Sequence, residues 1–180
     1  AAHLAFMLAE SGQPTVLVDA DLRRPSLAKM FDVDGAVGLT QVLARTVPLE
    51  DALVAGPHEN LQLLVAGRIP PNPSELVGSD RMRALISGLE ATYTVIIDAP
   101  PLLAVTDDGL LTVASDGALL VIKAGSTLKE QVALCRDTFD RVGGGLLGTV
   151  LNLVSKKDLG SALYGYGYSS YTSHYYSSHD

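Results

Sequence analysis

Residues 16–25 read Val-Leu-Val-Asp-Ala-Asp-Leu-Arg-Arg-Pro, a short apolar run followed by carboxylates at Asp19 and Asp21. Such a run reads as a buried parallel strand. The carboxyl end of a strand in an open α/β sheet opens onto the crevice where ligands bind. Residues i and i+2 of an extended segment share a face, so both carboxylates are expected to point at one bound ion or polyphosphate. Oxygen ligands of this kind suit magnesium, which is held by one or two carboxylates together with substrate phosphates. The alternative is that the two aspartates cap the next helix or solvate a turn. A second stretch weighs against that alternative: Val95, Ile96 and Ile97 run into Asp98, and Ala99, Pro100 and Pro101 stop the strand. Two strands that each end in acid point to a nucleotide–magnesium site using the carboxylate logic of phosphoryl transfer.

The elements that must position these acids follow from the apolar pattern. Residues 1–10 are apolar on nearly all sides, as in a helix packed between a sheet and its neighbours. Ser11-Gly12-Gln13-Pro14 ends it, and a strand covers residues 15–19. Pro25 and Ser26 suit the start of a short helix running to about Phe31. Residues 38–42 and 49–54 read as two short helices covering the sheet, and residues 60–65 as a central strand. Pro70, Pro71 and Pro73 stiffen the next loop through their fixed φ angles. Ser74 or Ser79 is suited to cap the helix that follows, in which Met82, Leu85, Ile86 and Leu89 share one face. After the Asp98 strand, Thr106, Asp107 and Asp108 form a helix-start cluster before residues 109–114. A further buried strand is expected at residues 118–123. A helix over residues 128–142 carries Val132, Cys135, Phe139 and Val142 on one face, and a last strand covers residues 146–153. Helices alternate with strands throughout, which gives a doubly wound α/β fold with a mainly parallel sheet.

Composition sets the bounds. The chain has 180 residues, 47% of them hydrophobic, enough for one domain with its own core. A formal net charge of −7 argues against a general nucleic-acid surface, although Arg23 and Arg24 make a local basic spot. The lone Cys135 has no partner for an intramolecular disulfide, in keeping with a cytoplasmic setting. No apolar run approaches the roughly 20 residues of a membrane helix.

From residue 155 onward the composition shifts. Six of the seven tyrosines, Tyr164, Tyr166, Tyr168, Tyr171, Tyr175 and Tyr176, are spaced by Gly, Ser, Thr and His. So few aliphatic residues cannot bury a core, so residues 155–180 are expected to form a flexible tail. His174 and His179 read as solvated side chains rather than metal ligands. Taken alone, the tail would be a sticky low-complexity segment.

Taken in order, these motifs resemble the bacterial tyrosine kinases, or BY-kinases. Residues 16–27 look like the family's Walker A′ segment, residues 95–107 like its Walker B segment, and residues 67–79 like the proline-rich loop between them. The resemblance implies a P-loop NTPase-like fold of the deviant Walker type over residues 1–154. One departure is evident: the sequence contains no glycine-rich run ending in Gly-Lys-Ser/Thr. The family pattern therefore implies a domain lacking its first strand and Walker A loop, with weak ATP binding and no kinase activity expected of these residues alone.

The resemblance implies an ATP- and Mg2+-dependent protein-tyrosine autokinase that controls capsular or extracellular polysaccharide synthesis and export. Asp19, Asp21 and Asp98 would hold the metal, with Asp19 accepting the proton of the incoming hydroxyl; the division of roles between Asp19 and Asp21 is open at this point, because both are expected on one face. Asn152, in a segment similar to the family's adenine-proximal strand, would contact the base; the other reading is a loop-capping Asn. Tyr164 to Tyr176 would be the phosphoacceptors, modified in trans. The implied partners are a membrane activator segment or protein, fused or separate, a tyrosine phosphatase, and further copies of the chain in a homo-oligomer such as a ring. The implied location is the cytoplasmic face of the plasma membrane. Two rivals remain open: a switch ATPase of the partition or division-site type, and a catalytically inactive module phosphorylated by another kinase.

Overall fold

The computed structural model describes residues 1–103 and 109–155. In chain order these form α1 (Ala2–Glu10), β1 (Thr15–Asp19), α2 (Leu27–Phe31), α3 (Leu39–Leu43), α4 (Leu49–Ala52), β2 (Val54–Ala55), β3 (Leu61–Leu64), α5 (Pro73–Val77), α6 (Asp80–Glu90), β4 (Thr94–Asp98), α7 (Gly109–Val113), β5 (Ala118–Lys123), α8 (Lys129–Val142) and β6 (Leu146–Asn152). Thr106, Asp107 and Asp108, the six tail tyrosines, His174 and His179 lie outside the described residues.

β1 sits inside a four-stranded sheet of order β2-β3-β1-β4. It pairs in parallel with β3 on one side and β4 on the other. A strand flanked on both edges and covered on both faces must be apolar throughout. Val16, Leu17 and Val18 meet that demand with essentially no exposed surface. Their side chains alternate between two clusters. Val16 and Val18 pack with Leu39, Leu43, Leu64, Met82 and Ile86, whereas Leu17 packs with Ala5, Ala9, Leu27, Leu61 and Leu63. Helices therefore cover both faces, as the doubly wound pattern requires.

The helix boundaries have local causes. Ser79 caps α6 by accepting the Met82 N–H at 3.2 Å, and Met82, Ile86 and Leu89 form its buried face. Gly143, at φ 70°, ends α8 in the left-handed region that favours glycine. At the start of α3, the amides of Leu39 and Thr40 bond to the carbonyls of Val65 and Ala66, clamping the helix to the end of β3.

Two expectations change, at residues 49–54 and at residues 118–123. The expected helix over residues 49–54 stops at Ala52, because Val54 and Ala55 form an antiparallel edge strand against Leu63 and Gln62. The parallel strands fall into two hydrogen-bonded groups, with β5 and β6 paired only with each other among the described residues. β5 is not buried throughout: Leu119 and Val121 are exposed, because one face of this two-stranded ribbon is left open among the described residues. α7 joins the two groups, with Leu111 buried in the cluster that holds Val16 and Val18.

Candidate functional site: paired carboxylates at the strand ends

The site is built by strand register. The β1–β4 ladder runs from Thr15 opposite Thr94 to Asp19 opposite Asp98, so the two acids end neighbouring parallel strands at one level. Backbones of neighbouring strands lie about 4.8 Å apart. The Ala20 N–H donates to the Asp98 carbonyl at 2.9 Å and carries the pairing one residue past Asp19.

Asp19 has no exposed surface. Its Oδ2 accepts the N–H groups of Ser26 and Leu27, both at 3.0 Å, and so ties the strand end to the start of α2. Its Oδ1 is buried without a hydrogen-bond partner. A buried acceptor left unsatisfied is costly, and such groups are frequently functional. Burial pushes the Asp19 carboxyl above the usual carboxylate range. The Leu27 and Ser26 amides oppose that rise, the neighbouring Asp98 charge adds to it, and the Asp21 amide opposes it more weakly. Asp98 itself is half-buried.

Asp21 is placed by a different device. β1 ends at Asp19, so the extended geometry expected to give Asp19 and Asp21 a common face does not reach Asp21. The chain turns there instead, and Asp21 Oδ1 accepts the N–H groups of Arg23 at 3.3 Å and Arg24 at 2.9 Å. Turn-building and ligand-binding are thus not exclusive readings. In Asp19 one oxygen holds backbone while the other is left buried and unpaired.

Asn152 ends β6, in the other strand pair. Its Oδ1 accepts the N–H of Leu153, which has φ 56°, the loop-capping arrangement. Asn152 and the three acids are not joined by hydrogen bonds. Of the two serines after the proline loop, Ser79 is the cap. Ser74 is the second residue of α5, and its Oγ accepts from Arg23 Nη2 at 2.9 Å. That link was missed in the sequence, because no short-range signal pairs residues 51 positions apart. It closes a narrow cleft lined by Ala20, Leu22, Arg23, Pro73, Ser74, Val77 and Pro100, where the segments after β1, β3 and β4 meet. A larger open depression between α3 and α4, lined by Val42, Arg45 and Leu49 among others, contains none of the acids.

Among the described residues no three or more His, Cys, Asp or Glu side chains gather as a metal cluster. Magnesium does not require one, since phosphates and water supply most of its oxygens. The unpaired Asp19 Oδ1 beside Asp98 fits one hard, oxygen-seeking cation.

Tyrosine-protein kinase YwqD of Bacillus subtilis (strain 168) is 40% identical to this chain over 167 residues, covering 92% of the chain and 70% of YwqD. The chain belongs to the bacterial tyrosine-protein kinases. The kinase domain of Escherichia coli tyrosine kinase ETK superposes with a TM-score of 0.82 at 34% identity, over 86% of this chain and 61% of that one. The septum site-determining protein MinD of Pyrococcus horikoshii, solved with Mg-ADP, shares the fold with a TM-score of 0.67 at 24% identity, over 91% of this chain and 69% of MinD. No protein-family model matches the sequence. As a tyrosine kinase, the chain is a phosphotransferase on a P-loop NTPase-like fold, and its chemistry uses a nucleotide. Among the described residues of this kinase no helix is long and apolar enough to cross a membrane.

Proposed function

We propose that this kinase transfers the γ-phosphoryl group of ATP to its own C-terminal tyrosines, Tyr164, Tyr166, Tyr168, Tyr171, Tyr175 and Tyr176, and thereby regulates capsular or extracellular polysaccharide synthesis and export. The observation that carries the reading is the register of Asp19 opposite Asp98, with one Asp19 oxygen buried and unpaired. Asp21 and Asp98 would hold Mg2+, and Asp19 would contact the hydrated ion. The ion, when bound, neutralises charge on the phosphates of ATP.

Asp19 accepts the proton of the incoming tyrosine hydroxyl as the phenolic oxygen bonds to the γ-phosphorus and the bond to the ADP oxygen breaks. The Ser26 and Leu27 amides keep the Asp19 carboxylate oriented for that transfer. Asn152 would contact the adenine with its amide Nδ2, its Oδ1 being taken by the Leu153 N–H.

Residues 1–154 act as the kinase domain and residues 155–180 as a tethered substrate. Tethering raises the concentration of acceptor phenols near a neighbouring active site, which favours modification in trans. Each added phosphate contributes about −1.5 to −2 charge, and several on one tail repel its docking on an acidic domain. The working assembly is a homo-oligomer at the cytoplasmic face of the plasma membrane, switched on by a membrane activator segment or protein and reset by a tyrosine phosphatase.

The test is Asp98→Asn, a substitution of nearly equal size. In the protein with the family's glycine-rich phosphate loop joined ahead of residue 1, it should abolish tyrosine phosphorylation in Mg-ATP while the far-ultraviolet circular dichroism stays unchanged. Full activity in this variant would sink the assignment.

A further inference from the structure

Asp21 is held through backbone. Its Oδ1 takes the amides of Arg23 and Arg24, so the carboxylate goes where residues 23 and 24 go. What fixes those two residues is less local. The Arg23 guanidinium donates to Ser74 Oγ, on the first turn of α5, just after the segment containing Pro70, Pro71 and Pro73. Proline fixes φ near −65°, so this segment offers few alternative positions for Ser74. Leu22 and Val77, one from each side, are both buried where the two segments meet.

We propose that the Arg23–Ser74 hydrogen bond is a clasp through which the proline loop sets the position of Asp21, making Arg23 and Ser74 positioning residues for the carboxylate site. The inference rests on the site reading given above and adds the purpose of the rigid loop. The loop acts at a distance, through one side-chain bond and two backbone bonds, and neither Arg23 nor Ser74 need touch the nucleotide. Arg23 is exposed, so water competes for its guanidinium. The clasp therefore depends on Ser74 being held in place rather than on the strength of one bond.

The test is amide hydrogen exchange by NMR on the 180-residue chain, as wild type, Ser74→Ala and Ser74→Thr. Removing the hydroxyl should speed exchange at Arg23 and Arg24 about tenfold, and Ser74→Thr, which keeps it, should restore protection. The Leu39 amide, bonded to Val65 at the other end of the loop, should exchange alike in all three. Unchanged exchange at Arg23 and Arg24 in Ser74→Ala overturns the clasp.

The same three sequences, with the family's glycine-rich phosphate loop joined ahead of residue 1, are then assayed for autophosphorylation beside Asp98→Asn in the same setting. Ser74→Ala should lower kcat with Ser74→Thr recovering it, and an undiminished kcat in Ser74→Ala overturns the functional role. An active Asp98→Asn would instead remove the site reading, leaving the exchange result to judge the clasp.

Discussion

Asp19 is a carboxylate with no exposed surface, two backbone donors on one oxygen and none on the other. Its pKa is raised in the folded state, so the folded chain binds its proton more tightly than the unfolded chain. The stability this contributes is fully present below the ordinary carboxylate value of 3.8 and is lost as pH rises through the raised value. Urea unfolding midpoints should therefore fall across the window that opens near the ordinary value. Asp19→Asn should flatten that slope and be the more stable protein at pH 7, though inactive. Equal slopes in the two proteins would contradict the burial argument. At this scale the sequence announced the acids themselves, since three apolar residues followed by Asp are visible in any strand. It did not announce the pairing of Asp19 with Asp98, which depends on register between strands far apart in the chain. Nor did it announce that the strand stops at Asp19, which gives Asp21 a turn to build.

Between elements, the tightest joint lies where α3 meets the end of β3. Gly38 packs so closely there that an added Cβ would sit 2.0 Å from the Val65 carbonyl oxygen and 2.6 Å from the Gly67 nitrogen. Gly67 itself has φ 78° and opens the proline loop. Gly38→Ala should cost roughly 2–3 kcal/mol in chemical denaturation, because backbone on both sides must shift. A loss below half a kilocalorie would mean that the joint is looser than described. Ser79→Ala is the milder comparison, expected to cost about 1 kcal/mol as the cap on the Met82 amide is lost. Longer elements were legible because their period is long enough to see. The α6 face of Met82, Ile86 and Leu89 is an example. Val54–Ala55 was not, since two residues carry no period, and an uninterrupted apolar run such as Ala118–Ile122 cannot reveal that alternate side chains are exposed.

Across the whole molecule, a parallel sheet covered on both faces brings strand carboxyl ends to one edge, and that edge is where the acids, the Arg23 turn and the proline loop meet. The order of motifs along the chain was enough to indicate this architecture and the kinase family. The central claim, that these carboxylates drive phosphorylation of the chain's own tyrosines, is tested most directly by phosphosite mapping. The protein and its Asp98→Asn variant, each with the family's glycine-rich phosphate loop joined ahead of residue 1, would be purified, incubated with Mg-ATP and the activator segment, and analysed by mass spectrometry. Phosphate spread over Tyr164 to Tyr176 in the first and absent from the second is the expected result. ATP turnover with unmodified tyrosines, or tail phosphorylation undiminished in Asp98→Asn, would contradict it.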